Sequence, residues 1–211
     1  MSGIKFDFNN MFSVNLGGKH GVDDADILEI APLAKKAHEH LTAVLNDKNS
    51  RINLSLEWTM LPLQDEKFIQ ELQKLGNEIA KKYENVISLG IGGSYLGLKA
   101  AQDALVEPYY NDFILKSKRP RIYFEGNNLD PDTLSVLLKN LNPKKTFVIV
   151  ISKSGETSET KAAFTVVENW LKKAVGKNYG RQIIAITDPE GGSLRKRVAL
   201  EQKKEDRKSV V

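Results

Sequence analysis

Four short apolar runs, each followed by a loop and then by a stretch of helical periodicity, restrict what most of this chain can fold into. The runs are Val86-Ile87-Ser88-Leu89, Arg121 to Glu125, Thr146 to Ile151 and Gln182 to Thr187. Their length and β-branched content are those of buried strands. The segment after the first run reads as a helix through about Leu105. Asp130-Pro131 supplies an N-cap and a proline at the first helical position of the second intervening helix, and Phe164, Val167, Trp170 and Leu171 recur on one face of the third. Strands that alternate with helices imply parallel pairing, right-handed crossovers and helices on both faces of one sheet. The expected class is therefore α/β, a three-layer αβα sandwich built on a doubly wound parallel sheet, with ligands gathered at the carboxyl ends of the strands.

An N-terminal helical segment precedes this pattern. Residues 1 to 22 are turn-rich, and the spaced aromatics Phe6, Phe8 and Phe12 suggest a short strand or arm. From Asp23, a good N-cap, apolar residues at Ile27, Ile30, Ala34, Ala37, Leu41 and Val44 predict an amphipathic helix ending near Asn46, with Pro32 as a place to bend. Asp65 starts a second helix carrying Phe68, Leu72, Leu75, Ile79 and Tyr83 on one face. Three parts are expected: an arm and helix over 1 to 64 that pack on the body, a domain over 65 to 196, and a charged end over 197 to 211. That end is too poor in apolar residues to pack as a helix or strand and reads as disordered.

Charge bears on the class of partner. From Arg195 onward seven basic residues stand against three acidic ones, which accounts for the whole net charge of +4. The remainder is balanced and lacks the electropositive bias that nucleic-acid binding requires. No apolar run approaches the roughly 18 residues of a membrane span, and no signal-peptide core opens the chain. A cytoplasmic protein with neither nucleic-acid nor membrane partners is expected. With no cysteine in the sequence, disulfide frameworks and Cys-based zinc sites or nucleophiles are excluded.

Two strand-end loops carry the chemistry. In Ser152-Lys153-Ser154-Gly155-Glu156-Thr157, three hydroxyl residues surround a glycine where a strand meets a helix, and the first N–H groups of that helix lack intrahelical acceptors. Such a junction suits a phosphate monoester, drawn by N–H groups, hydroxyls and the helix dipole. The plainer alternative is that one hydroxyl simply caps the helix. Gly90-Ile91-Gly92-Gly93-Ser94-Tyr95-Leu96-Gly97 also joins a strand to a helix, but a dinucleotide fingerprint read from Gly90 would need glycine at Tyr95. A nucleotide phosphate loop read from Gly92 would need lysine at Leu98. What remains is a tight backbone that lets a ligand approach the main chain closely, with Ser94 at the helix start.

Together, Leu-Gly-Ile-Gly-Gly-Ser-Tyr-Leu-Gly (89 to 97), Phe-Glu-Gly-Asn-Asn (124 to 128) and Ser-Lys-Ser-Gly-Glu-Thr (152 to 157) resemble the bacterial type of the glucose-6-phosphate isomerase family. The match runs to about Lys196. The serine loop alone would indicate only the wider sugar-isomerase (SIS) fold, which phosphosugar sensors share; the glycine loop narrows it. The resemblance implies that Ser152, Lys153 (through its backbone N–H), Ser154 and Thr157 hold the substrate phosphate, and that Gly93 and Ser94 contact the sugar. Glu156 is expected to turn away from the dianion. The family interconverts an aldose and a ketose phosphate through an enediol, without a cofactor, using a carboxylate base, a cation at the enediolate and ring-opening acid/base groups.

The motifs that supply the family's Glu, Arg, His and Lys have no counterpart in this sequence. Gly191-Gly192-Ser193 has serine where the arginine element needs Arg. His38 and His40 are two apart on a helix and cannot share a metal, and His20 has no assigned role. The resemblance thus implies the phosphate-binding amino-terminal portion of such an enzyme with a different end, from a truncated or frame-shifted reading, inactive by itself. A homodimer is expected for the full-length protein, and no catalytic residue is assigned. The alternative is a non-catalytic phosphosugar-binding or sensor module.

Overall fold

The computed structural model describes residues 5–113 and 119–204. The chain divides into two compact units, 1–69 and 70–211. In the first, a lone parallel bridge joins Phe12 to Val22. Helix α1, Asp24–Asn46, begins at a reciprocal capping box in which the Asp23 carboxylate accepts from the Ala25 and Asp26 amides while Asp26 accepts from the Asp23 amide. The helix continues through Pro32, and of its residues Val44 is buried. A short α-helical segment at Lys48–Asn53 and a 3-10 segment at Glu57–Leu63 follow. Helix α2, Glu66–Lys82, leads from this unit into the next.

The second unit is the expected α/β body. Strand β1 (Asn85–Leu89) leads to helix α3 (Leu96–Leu105), β2 (Arg121–Glu125) to α4 (Pro131–Asn140), β3 (Thr146–Ile151) to α5 (Ser158–Val175), and β4 (Ile183–Ile186) to α6 (Ser193–Lys204). All pairings are parallel and the strand order is β2-β1-β3-β4. On one face Ile87, Leu89, Val148, Val150 and Ala185 form a buried core with Leu134 and Leu138 of α4 and Ala163, Phe164, Val167 and Leu171 of α5. Side chains alternate between faces along a strand, so Phe124 and Phe147 point to the other face, where Tyr95 meets Phe124 and Tyr83 meets Phe147.

That arrangement follows from right-handed crossovers. The chain leaves β1 outward to β2, reverses across β1 to reach β3, and continues in the reversed direction to β4. A change of direction moves the connecting helix to the opposite face. The connections after β1 and after β3 accordingly part at the seam between those two strands.

One expectation is corrected by the structure. Residues 197–204, read from their charge as part of a disordered end, belong to helix α6; residues 205–211 lie outside the described residues. Arg, Lys, Leu, Glu and Ala are all good helix formers, so charge alone does not oppose a helix. The helix also has apolar contact, since Leu194 is buried in the core and Val198 packs against it.

Candidate functional site

The seam between β1 and β3 is a topological switch point, where open parallel sheets bind ligands at the carboxyl ends of their strands. The Leu89↔Val150 register sets the start of the glycine loop beside the start of the serine loop, about one strand spacing of 5 Å away. The two stretches singled out in the sequence therefore begin side by side.

In the first loop the Gly90 amide bonds the Glu125 carbonyl at 3.0 Å, anchoring the loop to β2. Gly92–Ser94 forms one tight 3-10 turn, in which Ser94 donates from its amide to Ile91 and Tyr95 to Gly92. Gly93 is exposed and Ser94 half-buried. The turn ends where the Tyr95 ring leans edge-on against Phe124 at 5.6 Å, which fixes the entry to α3.

In the second loop the hydroxyls do not cap the helix. Ser152 Oγ accepts from the Gly155 amide at 3.0 Å and Ser154 Oγ from the Glu156 amide at 3.1 Å, so both fold the loop ahead of α5. Thr157 is the residue at the helix boundary, and its side chain makes no cap bond. A serine oxygen that accepts in this way still has its own proton to donate. The exposed Ser154 can therefore offer its O–H group outward while its backbone stays folded. Ser152 is buried, whereas Lys153 and Ser154 are exposed. Glu156 is exposed, with the Ser193 hydroxyl and the Lys161 ammonium beside it holding its carboxyl below the usual range.

A third loop, which the sequence reading dismissed, holds the second in place. The Ser193 amide donates to the Ser154 carbonyl at 2.8 Å, and the Ser193 hydroxyl, lying between the Gly155 carbonyl and the Glu156 carboxylate, donates to Gly155 at 3.0 Å. The backbones meet so closely that a Cβ on Gly155 would lie 2.4 Å from the Leu194 nitrogen, and one on Gly192 would lie 2.4 Å from the Ser154 carbonyl oxygen. Both glycines also have positive φ. On the near side the Lys153 carbonyl accepts from the Asp188 amide and the Thr187 hydroxyl. No signal along the sequence marks this contact, because Gly191-Gly192 comes to lie beside the serine loop only through the pairing of β4 with β3.

Glu125, at the end of β2, has its carboxyl raised above the usual range by burial and, secondarily, by the nearby Asp130 charge. Behind the serine loop, between α5 and α6, lies a cavity of about 110 Å³ whose polar lining includes Ser152, Thr160, Ser193 and Arg197.

Residues 63–192 match the family model described as phosphoglucose isomerase. The chain belongs to the phosphoglucose isomerase family. Among relatives of this family, the glucose-6-phosphate isomerase of Carboxydothermus hydrogenoformans is 36% identical over 193 residues, covering 91% of this chain and 40% of that protein. The glucose-6-phosphate isomerase of Shouchella clausii is 37% identical over 199 residues, covering 92% and 42% respectively. A crystal structure of a hypothetical protein from Thermus thermophilus superposes with a TM-score of 0.68 at 32% identity, over 83% of this chain and 38% of that one. The chain thus spans about two fifths of the length of the phosphoglucose isomerase relatives it matches.

Proposed function

We propose that this chain binds the phosphate of a six-carbon sugar phosphate at the β1/β3 seam, as the phosphate-holding part of an enzyme that interconverts glucose 6-phosphate and fructose 6-phosphate. The observation that carries this reading is the placement of the Gly90 to Gly97 and Ser152 to Thr157 loops side by side at the switch point of the sheet. In it, Ser152, Ser154 and Thr157 donate O–H groups to the phosphate, Lys153 donates its backbone N–H, and Gly93 and Ser94 meet the sugar. The positive end of α5, 18 residues long, adds a favourable potential for the dianion. A site held by hydroxyls and amides suits a reversible reaction, whose product must leave.

The chemical step moves a proton between C2 and C1 and requires no redox cofactor. Since the family's proton-transfer motifs have no match in this sequence, the chain by itself is proposed to bind without turnover; the whole enzyme is proposed to act as a cytoplasmic homodimer. A non-catalytic phosphosugar sensor would use the same serine loop, but the family match over residues 63–192 favours the isomerase.

The test is thermal unfolding of the 211-residue chain with fructose 6-phosphate, inorganic phosphate or fructose. Both phosphates should raise the melting temperature, fructose should not, and a Ser154→Ala, Thr157→Ala double variant should lose the shift. Equal curves with and without either phosphate would refute the binding reading. A coupled assay that detected conversion of fructose 6-phosphate by the purified chain would refute the absence of turnover.

A further inference from the structure

Helix α6 is tied to the body by a buried charge cluster. The Glu168 side chain, 4% exposed, accepts from Lys172 Nζ at 2.8 Å and from Arg197 on the same oxygen, while its other oxygen accepts from the Tyr179 hydroxyl at 3.3 Å. The Arg197 guanidinium also lies over the Phe164 ring, 5.0 Å from its centre. Arg197 stands four residues after Ser193, on the same face of α6 one turn along. Ser193 is the residue whose amide and hydroxyl hold the Ser154 and Gly155 carbonyls. The same Arg197 lines the cavity that Ser152 and Ser193 also face.

We infer that the Arg197–Glu168 pair is a positioning device for the serine loop: it fixes the first turn of α6, and that turn fixes the backbone from which Ser154 and Gly155 present their groups. The inference rests on the phosphate-binding reading above and adds to it residues that touch no substrate. Without Arg197, α6 keeps Leu194 and Val198 as core contacts, and the Glu168 carboxylate keeps Lys172 and Tyr179. The fold therefore has other support, whereas the Ser193 contact with the serine loop loses the polar anchor one turn along α6.

The test uses the full chain and four variants, Arg197→Ala, Arg197→Lys, Glu168→Gln and Leu138→Ala, with inorganic phosphate affinity measured by calorimetry and Ser193 amide exchange by mass spectrometry or NMR. Leu138 is a core residue of α4, so its truncation lowers the melting temperature without touching the Ser193 contact. Arg197→Ala should weaken phosphate binding by about tenfold and speed Ser193 exchange, with Arg197→Lys recovering part of both. Leu138→Ala should lower stability while keeping phosphate affinity within about twofold. Unchanged phosphate affinity in Arg197→Ala, or an equal loss in Leu138→Ala, would overturn the inference and leave the phosphate reading standing. Should Arg197→Ala fail to fold, Glu168→Gln decides in its place, because it keeps the shape and removes the charge; wild-type affinity in that variant overturns the inference. No phosphate binding by the unsubstituted chain would overturn the phosphate reading, and this inference with it.

Discussion

Replacing Gly155 by alanine tests the interlock between the serine loop and the start of α6. Two costs add at this position. With φ at +75°, an L side chain enters the left-handed region, at roughly 1–2 kcal/mol. The new Cβ would also lie 2.4 Å from the Leu194 nitrogen, 2.6 Å from its Cβ and 2.7 Å from Ser193 Oγ, and one of these neighbours is backbone. Forcing an atom into packed surroundings costs about 1–3 kcal/mol, so the expected loss is roughly 2–5 kcal/mol. Gly92 provides the comparison: its φ is +57° but a Cβ there meets nothing within 4 Å, leaving only the backbone part, roughly 1–2 kcal/mol. Urea unfolding of the two variants, with the slope held common, should place the Gly155→Ala midpoint below that of Gly92→Ala, with a gap of about 1 M for a typical slope of about 2 kcal/mol per molar. Inorganic phosphate should protect Gly155→Ala less than the unsubstituted chain. A Gly155→Ala midpoint at or above that of Gly92→Ala would show that the two loops do not interlock.

The remaining predictions concern pH. Hydrogen bonding to Glu168 holds the Lys172 ammonium above its ordinary range, so its contribution is fully present below the unfolded value of about 10.4 and is lost as pH rises through the higher folded value. Stability should therefore fall more steeply above about pH 10.4 in the unsubstituted chain than in Lys172→Gln, and parallel curves would refute the coupling. Glu125 has the same sign at lower pH, for a different reason: burial raises its carboxyl, so stability falls as pH rises from about 4.3 through the folded value and stays lower above it. Glu125→Gln should raise the melting temperature at pH 7 by a small amount, since the group is half-exposed, and the difference should vanish below about pH 4. Destabilisation by Glu125→Gln at pH 7 would mean that the charge has a partner.

The strands and the long helices were legible because their signals are local. The Asp23 cap, the proline at the start of α4 and the apolar runs of β1 and β3 act within a few residues of themselves, and the chain could be read segment by segment. The end of the chain was not legible in the same way. Its charge made residues 197–204 look solvated, yet Leu194 and Val198 find the core and Arg197 finds a buried carboxylate 29 residues earlier in the chain. Pattern along the sequence does not report a partner at that separation.

The same division runs through the candidate site. The hydroxyl, glycine and amide groups of the serine loop, and the tight backbone of the glycine loop, are properties of adjacent residues, and the sequence alone was enough to mark them as suited to an anion. Whether the hydroxyls would cap the helix or fold the loop depended on where the Gly155 and Glu156 amides point, which only the folded backbone decides. The role of Gly191-Gly192-Ser193 was equally out of reach, because it arises when β4 pairs beside β3 and sets the two strand-end loops in contact. Sequence determines which groups are available locally; strand order and register determine which of them meet, because contacts between distant segments exist only after the sheet has brought them together.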